Sequence, residues 1–261
     1  MRVITGDAPL VSFTLNNIYN MNPFSTLLTL PRRARWRYRI HSWDVGYPDP
    51  EMRYLPKLCS PAKISVDVGA SQGLYTAHLL TCSRAVWAFE PRQEAATELQ
   101  RLYSNEAVRV DSSALSDFDG EASMVICQSD LGRSTLEQSN PVAGDTKYVN
   151  TRRLDSFDLR PVGFIKIDVE GYEDAVLRGG RVTLMRERPN LLIEIEERHK
   201  VGATKGIPKM LEDLGYAGWF LFEGEWRPFS TFEVSKHQRI NELPYINNFV
   251  FLPSERKNPL L

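Results

Sequence analysis

The sequence predicts an α/β protein built on a doubly wound, mostly parallel sheet, and three observations carry that prediction. The first is Ile64-Ser65-Val66-Asp67-Val68-Gly69-Ala70-Ser71-Gln72-Gly73-Leu74-Tyr75-Thr76, where a β-branched run stops at a glycine turn and passes into a helix beginning near Leu74. The second is Ala85-Val86-Trp87-Ala88-Phe89, an apolar strand ending in Glu90-Pro91. The third is the strand–helix alternation that becomes regular from Lys63, with a strand over 162–169 that ends in Asp168-Val169-Glu170-Gly171.

In such a sheet a cofactor lies at the carboxyl end of the first strand. A dinucleotide site wants G-x-G-x-x-G, whose second glycine lets the backbone reach a pyrophosphate. Here Ser71 holds that position, the glycines fall at Gly69 and Gly73, and Asp67 lies two residues before the first of them. A carboxylate there repels a diphosphate and suits a cationic ligand without phosphate. S-adenosylmethionine, which carries an ammonium and a sulfonium, fits. At the second strand's tip, Glu90 is placed to accept hydrogen bonds from both ribose hydroxyls. Asp67, Gly69, Ala70, Ser71, Gly73, Tyr75 and Glu90 are therefore the first cofactor-binding candidates. A parallel-sheet turn with incidental acids is the competing structural reading.

The other elements follow in order. Leu74 to about Thr81 reads as a helix, and Pro91 marks the start of another in which Ala95, Leu99, Leu102 and Tyr103 recur at helical spacing. Val108 and Val110 mark a third strand leading into Asp111-Ser112-Ser113-Ala114-Leu115. In methyl-donor folds the loop after this strand lies near the adenine, which adds Ser113 and Ala114 to the cofactor candidates. Residues 123–127 and 147–153 look like strands. The polar segment between them, 128–146, is expected near the mouth of the site, with Gly132-Arg133-Ser134-Thr135 as its contact residues. A short helix over 172–178, closed by Gly179-Gly180, precedes a fifth strand, 191–195. A helix around 208–214, a hairpin turning at Glu223-Gly224-Glu225 and a last strand over 248–252 complete the pattern.

Residues 1–60 lack this alternation and are read as an N-terminal extension or lid, with the main domain over 61–261. Their one regular feature is Arg35-Trp36-Arg37-Tyr38-Arg39-Ile40, which puts three arginines on one face of a strand. That face either keeps an edge strand soluble or contacts an acidic acceptor or an anionic membrane surface.

Composition narrows the class. Hydrophobic residues at 42% and charged residues at 25% allow an ample core in a soluble globular protein. A net charge of −1 gives no field that would recruit nucleic acid. Cys59, Cys82 and Cys127 are far apart in sequence and form no C-x-x-C pair, so a disulfide framework is not expected. With no apolar run near the ~18 residues of a membrane-spanning helix and no signal peptide, a cytoplasmic location is expected.

Five blocks then resemble the FkbM-type family of S-adenosylmethionine-dependent methyltransferases. They are Val66-Asp67-Val68-Gly69-Ala70-Ser71-Gln72-Gly73, Ala88-Phe89-Glu90-Pro91, Ala114-Leu115-Ser116-Asp117, Arg153-Leu154-Asp155-Ser156, and Ile165-Lys166-Ile167-Asp168-Val169-Glu170-Gly171-Tyr172-Glu173. The last block is the most distinctive, and Ser71-Gln72 departs from the residues the family often carries there. The resemblance implies a class I methyltransferase, Rossmann-like, with a seven-stranded, mostly parallel sheet that has one antiparallel strand. It also implies methyl transfer to a hydroxyl on a small molecule, sugar or glycan.

Methyl transfer is an in-line displacement on sulfonium, so the protein mainly aligns donor and acceptor. A hydroxyl acceptor further needs a base, or a metal that lowers its pKa. Asp168 and Glu170 lie two residues apart, and in this fold the fourth and fifth strands are neighbours, which would bring Glu194, Glu196 and His199 close. The catalytic candidates are Asp168, Glu170, Glu194 and His199, and Asp168 is also a cofactor candidate. Two other readings stay open: a hard divalent ion such as Mg²⁺ held by this cluster, or acids that simply pair with Lys166, Arg198 or a helix N-terminus. No metal is assigned.

Three rival functions remain. An enzyme methylating base nitrogens would carry an Asn/Asp-Pro-Pro-aromatic tetrad where Asp168-Val169-Glu170-Gly171 stands. A non-catalytic module would bind the donor without turnover. A nicotinamide oxidoreductase is disfavoured by Ser71 and Asp67.

Overall fold

A computed structural model describes residues 49–256 and Leu260. The arginine-bearing stretch 35–40 and the arginines before it lie outside the described residues. The described part of the extension is a 3-10 turn, Pro50–Tyr54, running into α1, Leu55–Leu58. Met52, Leu55 and Leu58 are buried in the same apolar cluster as Leu79, Val86 and Phe164, so residues 49–60 are built into the domain core.

The chain then alternates as its periodicity requires: β1 Ile64–Val68, α2 Leu74–Cys82, β2 Ala85–Phe89, α3 Gln93–Leu102 and β3 Val108–Asp111. A side excursion follows, with β4 Ala114–Leu115, β5 Gly120–Ile126 and β6 Asp145–Arg152. The alternation resumes with β7 Val162–Ile167, α4 Glu173–Gly179, α5 Arg181–Glu187, β8 Asn190–Glu194 and α6 Ala203–Asp213. It ends with β9 Tyr216–Phe222, β10 Glu225–Pro228, α7 Val234–His237 and β11 Asn248–Pro253.

The main sheet has the order β10-β9-β11-β8-β7-β1-β2-β3. β1 and β7 sit at its centre and are buried along their whole length, Asp67 and Lys166 included. β3, β2, β1, β7 and β8 pair in parallel, and β11 pairs antiparallel with β8 and with β9. The seven expected strands are thus present with their antiparallel member. An eighth, β10, extends the edge through the hairpin at Glu223 and Gly224, whose φ values of 52° and 83° make the tight turn. β4, β6 and β5 form a separate three-stranded sheet.

Two helices differ from the sequence expectation. Gly180 closes α4 as expected, but it also opens α5, a second helix that the sequence pattern did not show. The N-terminus of α5 is satisfied from a distance: Asp155 accepts from the backbone amides of Val182 and Thr183 at 2.9 and 2.8 Å. α6 begins at Ala203 and carries Pro208 inside it, where local rules would start a helix. The Glu197 carboxylate stabilises the earlier start by accepting from the Gly202 amide and the Thr204 hydroxyl at 2.5 and 2.6 Å. Cys59, Cys82 and Cys127 are free, and the thiols of Cys59 and Cys82, 23 residues apart in sequence, are close enough in the fold to interact. Among the described residues no helix is long and apolar enough to cross a membrane.

Candidate active site

Parallel strands that leave β1 in opposite directions, β2 on one side and β7 on the other, open a crevice at their carboxyl ends. Val68, Gly69 and Ser71 from the β1 tip, Glu90 from β2 and Asp168 from β7 line it. Ala114 and Leu115 line it from β4, Met124 from β5, Tyr172 before α4, and Leu131, Gly132, Ser134 and Leu136 from the β5–β6 connection. The polar connection therefore lies at the mouth, as its length and composition led us to expect. Of its four contact candidates, Gly132 and Ser134 line the crevice; the Thr135 hydroxyl instead donates to the Glu170 carbonyl at 2.8 Å, and Arg133 is exposed.

The β1–α2 turn is held closely. Gly69 has φ +81°, and a Cβ there would stand 1.9 Å from the Asp168 carbonyl oxygen of β7's extension. Gly73, also at φ +81°, packs where a Cβ would stand 2.6 Å from Leu99 of α3. Ser71 adopts φ +48°, and its backbone amide donates to Glu90 Oε2 at 2.8 Å. The turn thus presents its backbone to the crevice edge beside the β2 carboxylate.

The remaining cofactor candidates divide. Ala114 lines the crevice, and Ser113 is buried beside it with its amide held by Asp111. Asp67 is buried beneath the turn, where it accepts from Thr76 Oγ1 at 2.5 Å, and burial pushes its carboxyl up to about 6. It braces α2 against β1 and does not line the crevice. Tyr75 lies off the crevice too, with its hydroxyl donating to Asp49 Oδ2 at 2.8 Å. Ala70 is buried against Leu99 and Tyr103.

Arg92, which the sequence did not single out, turns back across the β2 tip. Its Nε donates to Glu90 Oε1 at 2.8 Å, its Nη2 to Glu90 Oε2 at 3.2 Å and to Ser71 Oγ at 3.1 Å, and its Nη1 to the Leu131 carbonyl at 2.9 Å. Both Glu90 oxygens are engaged, and the crevice keeps about 40 Å³ of free space. On the other side of Arg92 lies a hollow of about 340 Å³ lined by Ala95, Ile126, Tyr148 and Val149.

Carboxylates gather at the tips of β7 and β8. Asp168 lies 3.5 Å from the Lys166 ammonium, which is 1% exposed, donates to Asn248 Oδ1 at 3.0 Å and stands over the Tyr75 ring. Burial opposes charge on Asp168, but Lys166 and a hydrogen bond shared with Glu194 outweigh it and hold this carboxyl below its usual range. Glu194, desolvated and facing the Asp168 charge, is held well above. Glu170 has φ +57°, and burial beside Asp168 raises its carboxyl to about 8. His199 is buried with its Nε2 3.1 Å from Glu170 Oε2, and desolvation lowers its basicity. The four catalytic candidates therefore do meet. Glu196 joins them, held by the Tyr245 hydroxyl at 2.6 Å and by Arg198 Nη2 at 2.9 Å. The pairing of these acids with Lys166, one of the readings left open by the sequence, is present at Asp168, two residues after it in the same block.

A search of the curated proteins found no match. Among solved structures, the chain is similar to a methyltransferase FkbM from Methylobacillus flagellatus KT, with 16% identity and a TM-score of 0.51, over 87% of this chain and 57% of that one. The chain thus spans little more than half of that protein's length. Weaker likenesses are to a Streptococcus mutans protein described as a methyltransferase in complex with SAH and to a SAM dependent methyltransferase from Aquifex aeolicus. The former has 11% identity, a TM-score of 0.46 and 78% and 95% coverage; the latter has 15% identity, 0.40 and 89% and 98%. The family model of the Methyltransferase FkbM domain matches residues 67–217, from the β1 aspartate to the start of β9. That match takes in more than half of the chain and every strand tip that builds the crevice, and the chain belongs to the FkbM methyltransferase family.

Proposed function

We propose that the protein is an S-adenosylmethionine-dependent O-methyltransferase acting on a hydroxyl of a small molecule, sugar or glycan. The observation that supports it most is the half-buried Asp168 carboxylate, which lines the donor crevice 3.5 Å from the Lys166 ammonium, whose charge holds the carboxyl below its usual range.

The residues at the crevice suit the donor. Gly69 leaves no room for a side chain where the chain passes the β7 tip, Ser71 turns its backbone to the edge, and Glu90 supplies two acceptor oxygens for vicinal hydroxyls. The acids at the β2 and β7 tips, Glu90 and Asp168, disfavour a phosphate-bearing ligand. When bound, S-adenosylmethionine supplies a methyl group already activated on sulfonium. The chain's share is then to hold the acceptor and take up its proton. Asp168 is placed to accept a hydrogen bond from the acceptor hydroxyl and to remove its proton as the oxygen bonds to carbon. Lys166 keeps that carboxylate charged between turnovers, and Glu194, Glu170 and His199 offer a path for the proton away from it.

The test separates donor binding from catalysis. S-adenosylhomocysteine should bind the wild-type chain in calorimetry, and Glu90→Ala should weaken it at least about tenfold by removing the hydroxyl acceptors. Asp168→Asn should keep donor binding while turnover on a responsive hydroxyl acceptor drops roughly 10²–10⁴-fold. Donor binding with no turnover across alcohols, sugars and glycans would leave a binding module instead. Turnover confined to amines would make it an N-methyltransferase.

A further inference from the structure

We propose that Asn248 is a positioning residue: its side-chain amide holds the Lys166 ammonium at a set distance behind Asp168, so that this carboxylate stays charged while remaining open toward the crevice. Asn248 opens β11, the antiparallel strand, and lies outside the stretch 67–217 that the family model matches. It stands opposite Glu194 in the strand register and is buried. Its purpose rests on the O-methyl transfer proposed above, but the arrangement itself does not.

Two distances carry the inference. Lys166 Nζ is 3.0 Å from Asn248 Oδ1 and 3.5 Å from Asp168 Oδ2. An ammonium whose main partner is a carboxylate closes on it to about 2.7–2.9 Å. This one stops short although it is buried, where opposite charges attract most. The amide oxygen takes the ammonium instead, and the Tyr75 ring, 4.8 Å away, closes another side. The amide's own orientation is dictated from its far end. Asn248 Nδ2 donates to Asn247 Oδ1 at 3.4 Å, and Asn247 Nδ2 donates to Glu194 Oε1. One run of hydrogen bonds thus leads from Lys166 through two amides to Glu194, every donor pointing the same way. Reversing Asn248 would set N–H groups against the ammonium. The ends of the run are the two groups that flank Asp168, Lys166 by charge and Glu194 by a hydrogen bond.

A carboxylate clamped by an ammonium is a poor base, because the bond stabilises the charged form that must accept a proton. A carboxylate without the ammonium would be neutralised by its acidic neighbours. The titratable groups facing Asp168 are Lys166 and Glu170 on its own segment, Asp67 of β1, Tyr75 of α2, Glu173 of α4, Glu194 of β8 and His199 beyond it. At 3.5 Å, Lys166 offsets the acids without occupying Asp168.

The experiment labels aspartate carboxyls with ¹³C and follows Asp168 by NMR against pH, with Asp168→Asn identifying its signal and no turnover required. Asn248→Leu removes the amide oxygen and fills its space, so Lys166 should close onto Asp168, which should be more fully ionised at about pH 4 than in the wild type. Asn248→Asp draws the ammonium away and adds repulsion, so Asp168 should titrate at least about one pH unit higher. In a Lys166→Met chain, adding Asn248→Leu should move the Asp168 signal no further. Far-UV circular dichroism verifies that each variant is folded. Shifts of the same sign in the two folded Asn248 variants, no shift in either, or a full Asn248→Leu effect without Lys166 overturns the role. Opposite shifts in a chain that binds no S-adenosylhomocysteine in calorimetry would support the arrangement and count against methyl transfer.

Discussion

Glu51 has no role in the crevice, yet it makes the cost of buried acids measurable. It is 3% exposed, one of its oxygens has no hydrogen-bond partner, and burial lifts its carboxyl to about 7 from an ordinary 4.5. The neutral form is the one the fold prefers. Its contribution to stability is therefore complete below about pH 4.5 and is lost as pH rises through 7. Glu51→Gln should remove this dependence: between pH 4.5 and 8 the wild type should lose on the order of 3 kcal/mol more stability than the variant, read by urea unfolding at each pH. A difference independent of pH would refute the assignment. Asp67 follows the same physics, and its case shows what a sequence hides. Its position before Gly69 was legible, but its partner, Thr76, turned it into a brace for α2 and left Glu90 and Asp168 to line the crevice.

At the scale of elements, the β5–β6 connection and the β2 tip act together through Arg92. Only about 40 Å³ is free in the crevice while this guanidinium spans Glu90, Ser71 and Leu131. Sites for ligands of nucleoside size run to several hundred Å³, and on the donor reading proposed above Arg92 would withdraw and release Leu131 to admit the donor. Arg92→Ala should accordingly tighten S-adenosylhomocysteine binding, by roughly threefold to tenfold in calorimetry, because Glu90 no longer has to be uncovered. Weaker binding would make Arg92 a donor ligand. The same connection anchors Glu170 through two hydrogen bonds to one carbonyl. The double variant Thr135→Val, Asn140→Ala should cost about 2–3 kcal/mol of stability in denaturant unfolding, since it leaves that carbonyl unsatisfied. The sequence marked this segment as functional by its length and polarity. Which of its residues face the crevice depended on a single backbone bridge, Val125 to Thr135, which no local pattern encodes.

For the whole molecule, the crevice is a consequence of sheet order. β1 lies between β2 and β7, so three strand tips 67–168 residues along the chain converge on one edge. A ligand that bridges those tips ties the two halves of the sheet together. S-adenosylhomocysteine at a hundredfold excess over its dissociation constant should raise the melting temperature by roughly 5–10 °C, measured by differential scanning calorimetry. NADH at the same concentration should leave it unchanged. A shift with NADH alone would remove the donor assignment.

By itself, the sequence determined the strands, most helices and the acids at the strand tips. Apolar runs with β-branched residues, glycine turns and helical spacing are local signals, and the ends of such runs are where a parallel sheet exposes side chains. The tertiary structure alone decided how those acids are used. It paired Asp168 with Glu194 from the next strand, set His199 against Glu170, folded Arg92 over Glu90, and capped α5 and α6 with the distant Asp155 and the upstream Glu197. The physical reason is that charge, burial and hydrogen bonding depend on distance in space. A carboxylate's role is set by which partners the fold brings within about 3–4 Å, however far along the chain they lie.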